Sequence, residues 1–308
     1  MVTPIRLALM NSVSVQLLVA GAFMIAGTVG CSVSAEEAFL VSASADGIDS
    51  LRVDWKNGSV TVRVDENEHK ITAVGKKVVR TGSESRALKA LEKLTITLLP
   101  IGNDPTKLLL SMSLGRNQLG TLIRGDVDVV LPTMLALNIE IGNGTAIVNG
   151  NSAASTVVLR NGIVRITKQS GDTLVRVRRG TIKVDSLAGT VDARCGIGEI
   201  DVTARVLQDD RLVAHVGIGA IELHVPVETA AFLDLRAGLG EVNASLSDFT
   251  VTNRKSRLTS LKATINGGGT NIVADVGIGS VEFGAVKAVY SAQPAANSGK
   301  LGAKGDKS

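Results

Sequence analysis

One glycine returns at a fixed step along this chain. Gly144, Gly162, Gly180 and Gly198 follow one another at intervals of 18 residues, Gly219 and Gly240 at intervals of 21, and Gly279 comes after an insertion. The surrounding strings share a form: IEIGNGTAIV, VLRNGIVRI, VRVRRGTIKV, ARCGIGEIDV, AHVGIGAIEL, LRAGLGEVNA and ADVGIGSVEF. Far upstream, VDWKNGSVTV (Val53 to Val62) fits the same register around Gly58.

Aligned on that glycine, the apolar residues fall in columns. Three positions before it stand Ile141, Leu159, Val177, Cys195, Val216, Ala237 and Val276. Two positions after it stand Ala146, Val164, Ile182, Ile200, Ile221, Val242 and Val281, and four after stand Val148, Ile166, Val184, Val202, Leu223, Ala244 and Phe283. Polar residues fill most positions between. Such period-two alternation on both sides of a corner describes two short strands per repeat, each with one apolar face. A single repeat cannot bury that face, so successive coils must stack.

The expected fold is therefore all-β: a single-domain parallel β-helix, or β-solenoid, over residues 51–286. The right hand follows from the general preference of parallel crossovers. An antiparallel sandwich is the competing arrangement, and it explains the equal glycine spacing less well. Glycine supplies the positive φ of a sharp corner. The chain has 33 glycines and only 2% aromatic residues, as expected for a narrow bore filled by aliphatic ladders. The 44% hydrophobic content supplies a core and excludes global disorder.

The stretch from Glu66 to Leu131 departs from the repeat. Ser83 to Leu94 (SESRALKALEKL) reads as one short helix, with Ser83 at the N-cap and Leu88, Leu91 and Leu94 at helical spacing. LTITLLP and KLLLSMSL read as strands, and Val127 to Leu131 leads into the regular array. Residues 36–50 read as a linker. Residues 287–308 read as a disordered tail rich in Gly, Ala, Lys and Ser.

Residues 1–35 read as a targeting segment and the start of a linker. Arg6 precedes an apolar run, Leu17 to Val29, which is short for a membrane span. The run ends in Thr28-Val29-Gly30-Cys31, which resembles a bacterial lipobox with Thr where Leu is usual. Cys31 is the expected lipidation site. Cleavage after Ala35 and an uncleaved anchor are the other possibilities. Each takes the remainder across the membrane, and Ser32 after the cysteine favours the outer membrane over the periplasmic side of the inner one.

The opening NGSVTV (Asn57 to Val62), the short Glu/Lys/Leu helix before LTITL, DVDVVLP (Asp126 to Pro132) leading into IEIGNGTAIV, and the recurrent GIGxI/V corners carry a resemblance. Together they resemble the "putative adhesin" domain family of bacterial envelope proteins, over roughly Leu51 to Val286. The resemblance implies a glycine-turn β-helix, a secreted or envelope-attached address and a structural or adhesive role. It brings no catalytic residues.

Outward charges are the candidate functional feature. Four positions before the corner glycine stand Glu140, Val158, Arg176, Arg194, His215, Arg236 and Asp275. With coils about 4.8 Å apart, Arg176, Arg194 and Arg236 line one face with His215 between them. Arg160, Arg165, Arg178, Arg179 and Lys183 add to it, making a basic ladder suited to an anionic polysaccharide or lipopolysaccharide. The bland alternative is a solvated face whose like charges discourage aggregation. Nucleic acid is not expected, given the address and the lack of stacking rings. A membrane, through the lipid anchor, and a protein are further expected partners.

Three positions after the glycine, Arg165 and Lys183 give way to Asp201, Glu222 and Glu282. Glu199, Asp201, Glu222 and Glu241 supply the carboxylates that a polysaccharide lyase or hydrolase would need about 5–10 Å apart, which is the alternative function. His69, His215 and His224 show no metal or triad spacing, so neither a metal nor a cofactor is expected. Cys195 has an inward phase and reads as core filler.

Overall fold

The computed structural model describes residues 32–286 except 66, 115–120, 133–134, 152, 187 and 208–209, together with the backbone of Gln16–Ile25. In chain order the strands are β1 (Gln16–Ile25), β2 (Val33–Ser44), β3 (Ser50–Val64), β4 (Lys70–Thr81), β5 (Leu94–Ile101), β6 (Asp104–Leu114), β7 (Leu122–Leu131) and β8 (Ala136–Asn149). They continue with β9 (Ser155–Gln169), β10 (Thr173–Ser186), β11 (Val191–Ala204), β12 (Arg211–Pro226), β13 (Ala231–Ala244), β14 (Val251–Arg257), β15 (Ser260–Ile265) and β16 (Thr270–Val286). The one helix among the described residues, α1 (Glu84–Lys93), precedes β5. All strands belong to one long sheet that does not close into a barrel.

The repeat is the heart of the sheet. β3, β8, β9, β10, β11 and β12 pair in sequence, all parallel, glycine on glycine: Gly58 with Gly144, Gly144 with Gly162, Gly162 with Gly180, Gly180 with Gly198, and Gly198 with Gly219. Each strand is one coil bent at its glycine into two arms. In β10, Val175 and Val177 on the first arm and Ile182 and Val184 on the second are buried, and the residues between them face out. The helix packs against β2, β4 and β5, so among the described residues no helical layer covers β9 to β12. Their two arms must bury each other's apolar sides, as stacked β-solenoid coils do. Each Val or Ile hidden this way contributes roughly 1.5–3 kcal/mol.

The corner requires glycine for two reasons at once. Gly198 has φ 143°, and a Cβ built on it would lie 1.8 Å from the carbonyl oxygen of Gly180 on the coil beneath. Backbone rests directly on backbone there, and no side chain fits.

At the ends of β8, β9 and β10 buried polar residues satisfy turn carbonyls. Asn151 donates to Leu135 O at 3.1 Å, Gln169 to Ala153 O at 2.7 Å and Ser186 to Ala188 O at 2.9 Å. The few rings collect at the two ends of the stack. Phe39 meets Trp55 with centroids 6.4 Å apart, and Phe249 meets Phe283 at 5.9 Å.

Several expectations need correction. Residues 36–50 are no linker: most belong to β2, where Phe39, Val41 and Ala43 are buried against the core. The N-terminal part is not purely parallel either. β1, β2, β4 and β7 form an antiparallel set, and β5 and β6 form an antiparallel hairpin. β7 then joins the array parallel to β3.

The final coils are out of sequence order. β16 lies between β12 and β13 and is parallel to both, while β15 and β14 continue antiparallel from β13. Ser83 does sit at the N-cap of α1 but makes no side-chain capping bond, and Ala87, Ala90 and Leu91 are the helix's buried residues. Cys31 and residues 287–308 lie outside the described residues.

Candidate functional site

The parallel register converts sequence columns into physical ladders, and it regroups the predicted basic residues. Arg176 stands beside Val158 on one side and Arg194 on the other, Lys183 stands between Arg165 and Asp201, and Arg179 between Asn161 and Ile197. Arg160, Arg165, Arg176, Arg178, Arg179 and Lys183 are all exposed and all lie on the adjacent coils β9 and β10. Of these, Lys183 alone makes an ion pair among the described residues, with Asp201 at 2.7 Å. That carboxylate holds the Lys183 ammonium above its ordinary range.

Arg194 and Arg236 do not extend the patch as a charged ladder. Arg194 is gripped by Asp192 through two bonds, at 2.8 and 2.9 Å. Arg236 is gripped by Asp234 at 2.9 and 2.6 Å, and Lys262 joins the same carboxylate at 3.1 Å. The inserted β16 also places Asp275 between His215 and Arg236. The expected single face of Arg176, Arg194, His215 and Arg236 is therefore interrupted by acid, and the predicted cations that make no ion pair among the described residues lie on β9 and β10.

Next to this patch the surface is hollowed. An open depression of ≈ 620 Å³ lies over Gly142, between Lys56 and Arg160 on the neighbouring coils. Its lining carries three cations, Lys56, Arg160 and Arg178, and two carboxylates, Asp54 and Glu140. Glu140 is held by Arg52 at 3.0 Å.

The position just before the corner glycine forms a ridge that the sequence reading passed over. On the early coils it is an asparagine ladder: Asn161 donates to Asn143 at 2.7 Å, Asn143 to Asn57 at 2.8 Å, and Asn57 to Ile123 O at 3.0 Å. Arg179 follows, and then Ile197, Ile218, Ile278 and Leu239 stack in that order. These aliphatics are exposed, from 46% for Ile197 to 67% for Leu239. The available signal was the alternation of N-G, R-G and I-G at the corners.

Two of the predicted carboxylates separate. Glu199 pairs with Ala220 and Glu241 with Ser280, so β12 and β16 both intervene between them. At about 4.8 Å per coil they lie about 14 Å apart, beyond the span of a glycosidase pair. Asp201 and Glu222 are direct neighbours. Cys195 is buried as expected. Its thiol points to Gly180 O at 3.4 Å, and burial pushes its pKa up. No helix among the described residues is long and apolar enough to cross a membrane.

No protein-family model matches the chain, and no curated protein matches it. Solved structures do. A "putative cell adhesion protein" from Clostridium sporogenes is 12% identical with a TM-score of 0.36, covering 82% of this chain and 100% of its own. A "putative adhesin" from Bacteroides fragilis is 8% identical with a TM-score of 0.33, covering 80% and 96%. A "putative lipid binding protein" from Parabacteroides distasonis is 11% identical with a TM-score of 0.27, covering 84% and 98%.

Proposed function

We propose that this chain is an adhesive envelope module, anchored through a lipidated Cys31, whose right-handed solenoid holds an anionic polysaccharide or lipopolysaccharide on the basic face of β9 and β10. The observation that carries this is the grouping of Arg160, Arg176 and Arg178 on the first arms of two hydrogen-bonded coils, with Arg179 beside them at the corner, all exposed and none in an ion pair among the described residues, while Arg165 and Lys183 face out from the second arms. Cations fixed on a rigid sheet a few ångströms apart match the repeating charges of a polymer and lose little entropy on binding. The adjoining depression over Gly142 gives the polymer a track.

The position of β2 favours processing ahead of Cys31 over cleavage after Ala35. A cut after Ala35 falls inside β2 and removes a buried residue from the sheet. A cut ahead of Cys31 detaches only β1 and leaves β2 whole.

The test is binding of the full chain to lipopolysaccharide and to an acidic polysaccharide at low and high salt. Arg176, Arg178 and Arg179 changed together to Ser should abolish salt-sensitive binding, while Arg194→Ser and Arg236→Ser should leave most of it. Unchanged binding by the triple variant refutes the basic face. Labelling with palmitate, with and without Cys31→Ser, tests the anchor.

A further inference from the structure

We propose that Asp201, Glu222 and His224 form a binding site for a divalent transition metal such as Zn²⁺. Asp201 lies on β11 directly opposite Glu222 on β12, and His224 follows Glu222 on the same outward face, opposite Thr203. One donor atom from each of the three comes within 4.8 Å of the other two. The backbone presenting them is parallel strand in strict register on both sides, so the three side chains start from fixed positions.

The donor set selects the metal. Two carboxylates and one imidazole are the nitrogen and oxygen ligands that Zn²⁺ takes at about 2.0–2.2 Å. An imidazole with so few oxygens does not suit Ca²⁺ or Mg²⁺. Small rotations about the side-chain bonds bring donors within 4.8 Å onto one ion. The two carboxylate charges would balance the ion's charge.

Two further features point the same way. Asp201, Glu222 and Glu282 occupy one ladder position on the consecutive coils β11, β12 and β16. Like charges directly opposite one another across strands are destabilising. Lys183 neutralises only the Asp201 end, at 2.7 Å from one carboxylate oxygen, and leaves the other oxygen for a metal while fixing the carboxylate's orientation. On the far side Gly284 stands opposite His224, where a Cβ would be 3.9 Å from Nδ1. The absent side chain leaves space beside the imidazole for water to complete the coordination.

The experiment is calorimetric titration of the full, tag-free chain with ZnCl₂ after chelator treatment and dialysis. One Zn²⁺ per chain is expected. His224→Gln and Glu222→Gln should each weaken it by about tenfold or more, and His215→Gln, on the other arm of the same coil, should leave it unchanged. Circular dichroism melting checks that the variants fold. Should His224→Gln fail to fold, Glu222→Gln and the visible absorption of bound Co²⁺ in the unaltered chain decide. Absence of Zn²⁺ binding by the unaltered chain overturns the site, as does His224→Gln or Glu222→Gln binding as tightly as the unaltered chain.

Discussion

The imidazole Nδ1 of His215 lies 3.6 Å from a carboxylate oxygen of Asp275, although β13, β14 and β15 separate the two in sequence. The pair exists because β16 enters the stack between β12 and β13. Direct parallel neighbours lie within the Cα range a disulfide spans, about 4.4–6.8 Å, whereas residues two coils apart do not. With Cys31→Ser and Cys195→Ala as background, the pair His215→Cys and Asp275→Cys should cross-link under mild oxidation. The pair His215→Cys and Arg236→Cys should not. Peptide mapping by mass spectrometry reads both, and the reverse result would restore simple sequence order to the coils.

The corner glycines should be intolerant in a graded way. At Gly198 a Cβ meets Gly180 O at 1.8 Å, with φ 143°. At Gly47 φ is also positive, 71°, yet nothing lies within 4 Å of the added atom. Gly47→Ala should cost only the left-handed strain, about 1–2 kcal/mol. Gly198→Ala adds a backbone collision that only separating the coils relieves, and should cost at least about 3 kcal/mol. Urea denaturation midpoints of the two variants check the ranking.

The regular coils were legible because both of their constraints are local. The glycine marks the corner, and alternation around it names the inward residues, so Val177, Cys195 and Val216 are buried in register as read. The insertion of β16 was not legible, because Gly240 and Gly279 sit in equivalent corners and either coil fits against Gly219. Nothing in AGLGEV or VGIGSV says which coil goes inside. That one ambiguity put Asp275 into the predicted arginine face, which the i−2 partners Asp192 and Asp234 also neutralise, and it separated Glu199 from Glu241. β2 was missed for another reason: it lacks the corner glycine, and its Phe39, Val41 and Ala43 alternate over too short a run to stand out. His224 was judged by its distance from His215 along the chain, whereas its neighbours are Glu222 and, across the coil, Asp201.

Lys77 joins β4 to the end of α1. Its ammonium pairs with Glu37 of β2 at 3.1 Å and donates to Leu91 O and Leu94 O at 3.3 and 3.0 Å. Both side chains are largely buried, at 11% and 14% exposure. The cation adds its charge and a further donor at the helix C-terminus, where Leu91 O also accepts from the Leu94 N–H. Lys77→Met should destabilise by about 2–4 kcal/mol, mainly by leaving Glu37 unpaired. Adding Glu37→Gln should recover part of that loss, and a double variant as unstable as the sum of both single changes would show that the pair is not coupled.

Acid should loosen the two ends of the array through Asp234 and Asp126. Burial pushes the Asp234 pKa up, but bonds from Arg236 and Lys262 outweigh it and leave the net value below 3.8. At Asp126 burial again pushes up, and bonds from Ser59 and Arg124 again prevail. A carboxylate with a depressed native pKa contributes stability in full above its unfolded value. That contribution drains as pH falls from there through the native value, because the unfolded chain takes up the proton first. Asp234 is partly solvated, so its share is about 1 kcal/mol or less. Asp234→Asn should lower the urea midpoint at neutral pH and flatten its decline below about pH 4, the two curves converging in stronger acid. Parallel curves across that window would mean that Asp234 gains nothing from Arg236 and Lys262 on folding.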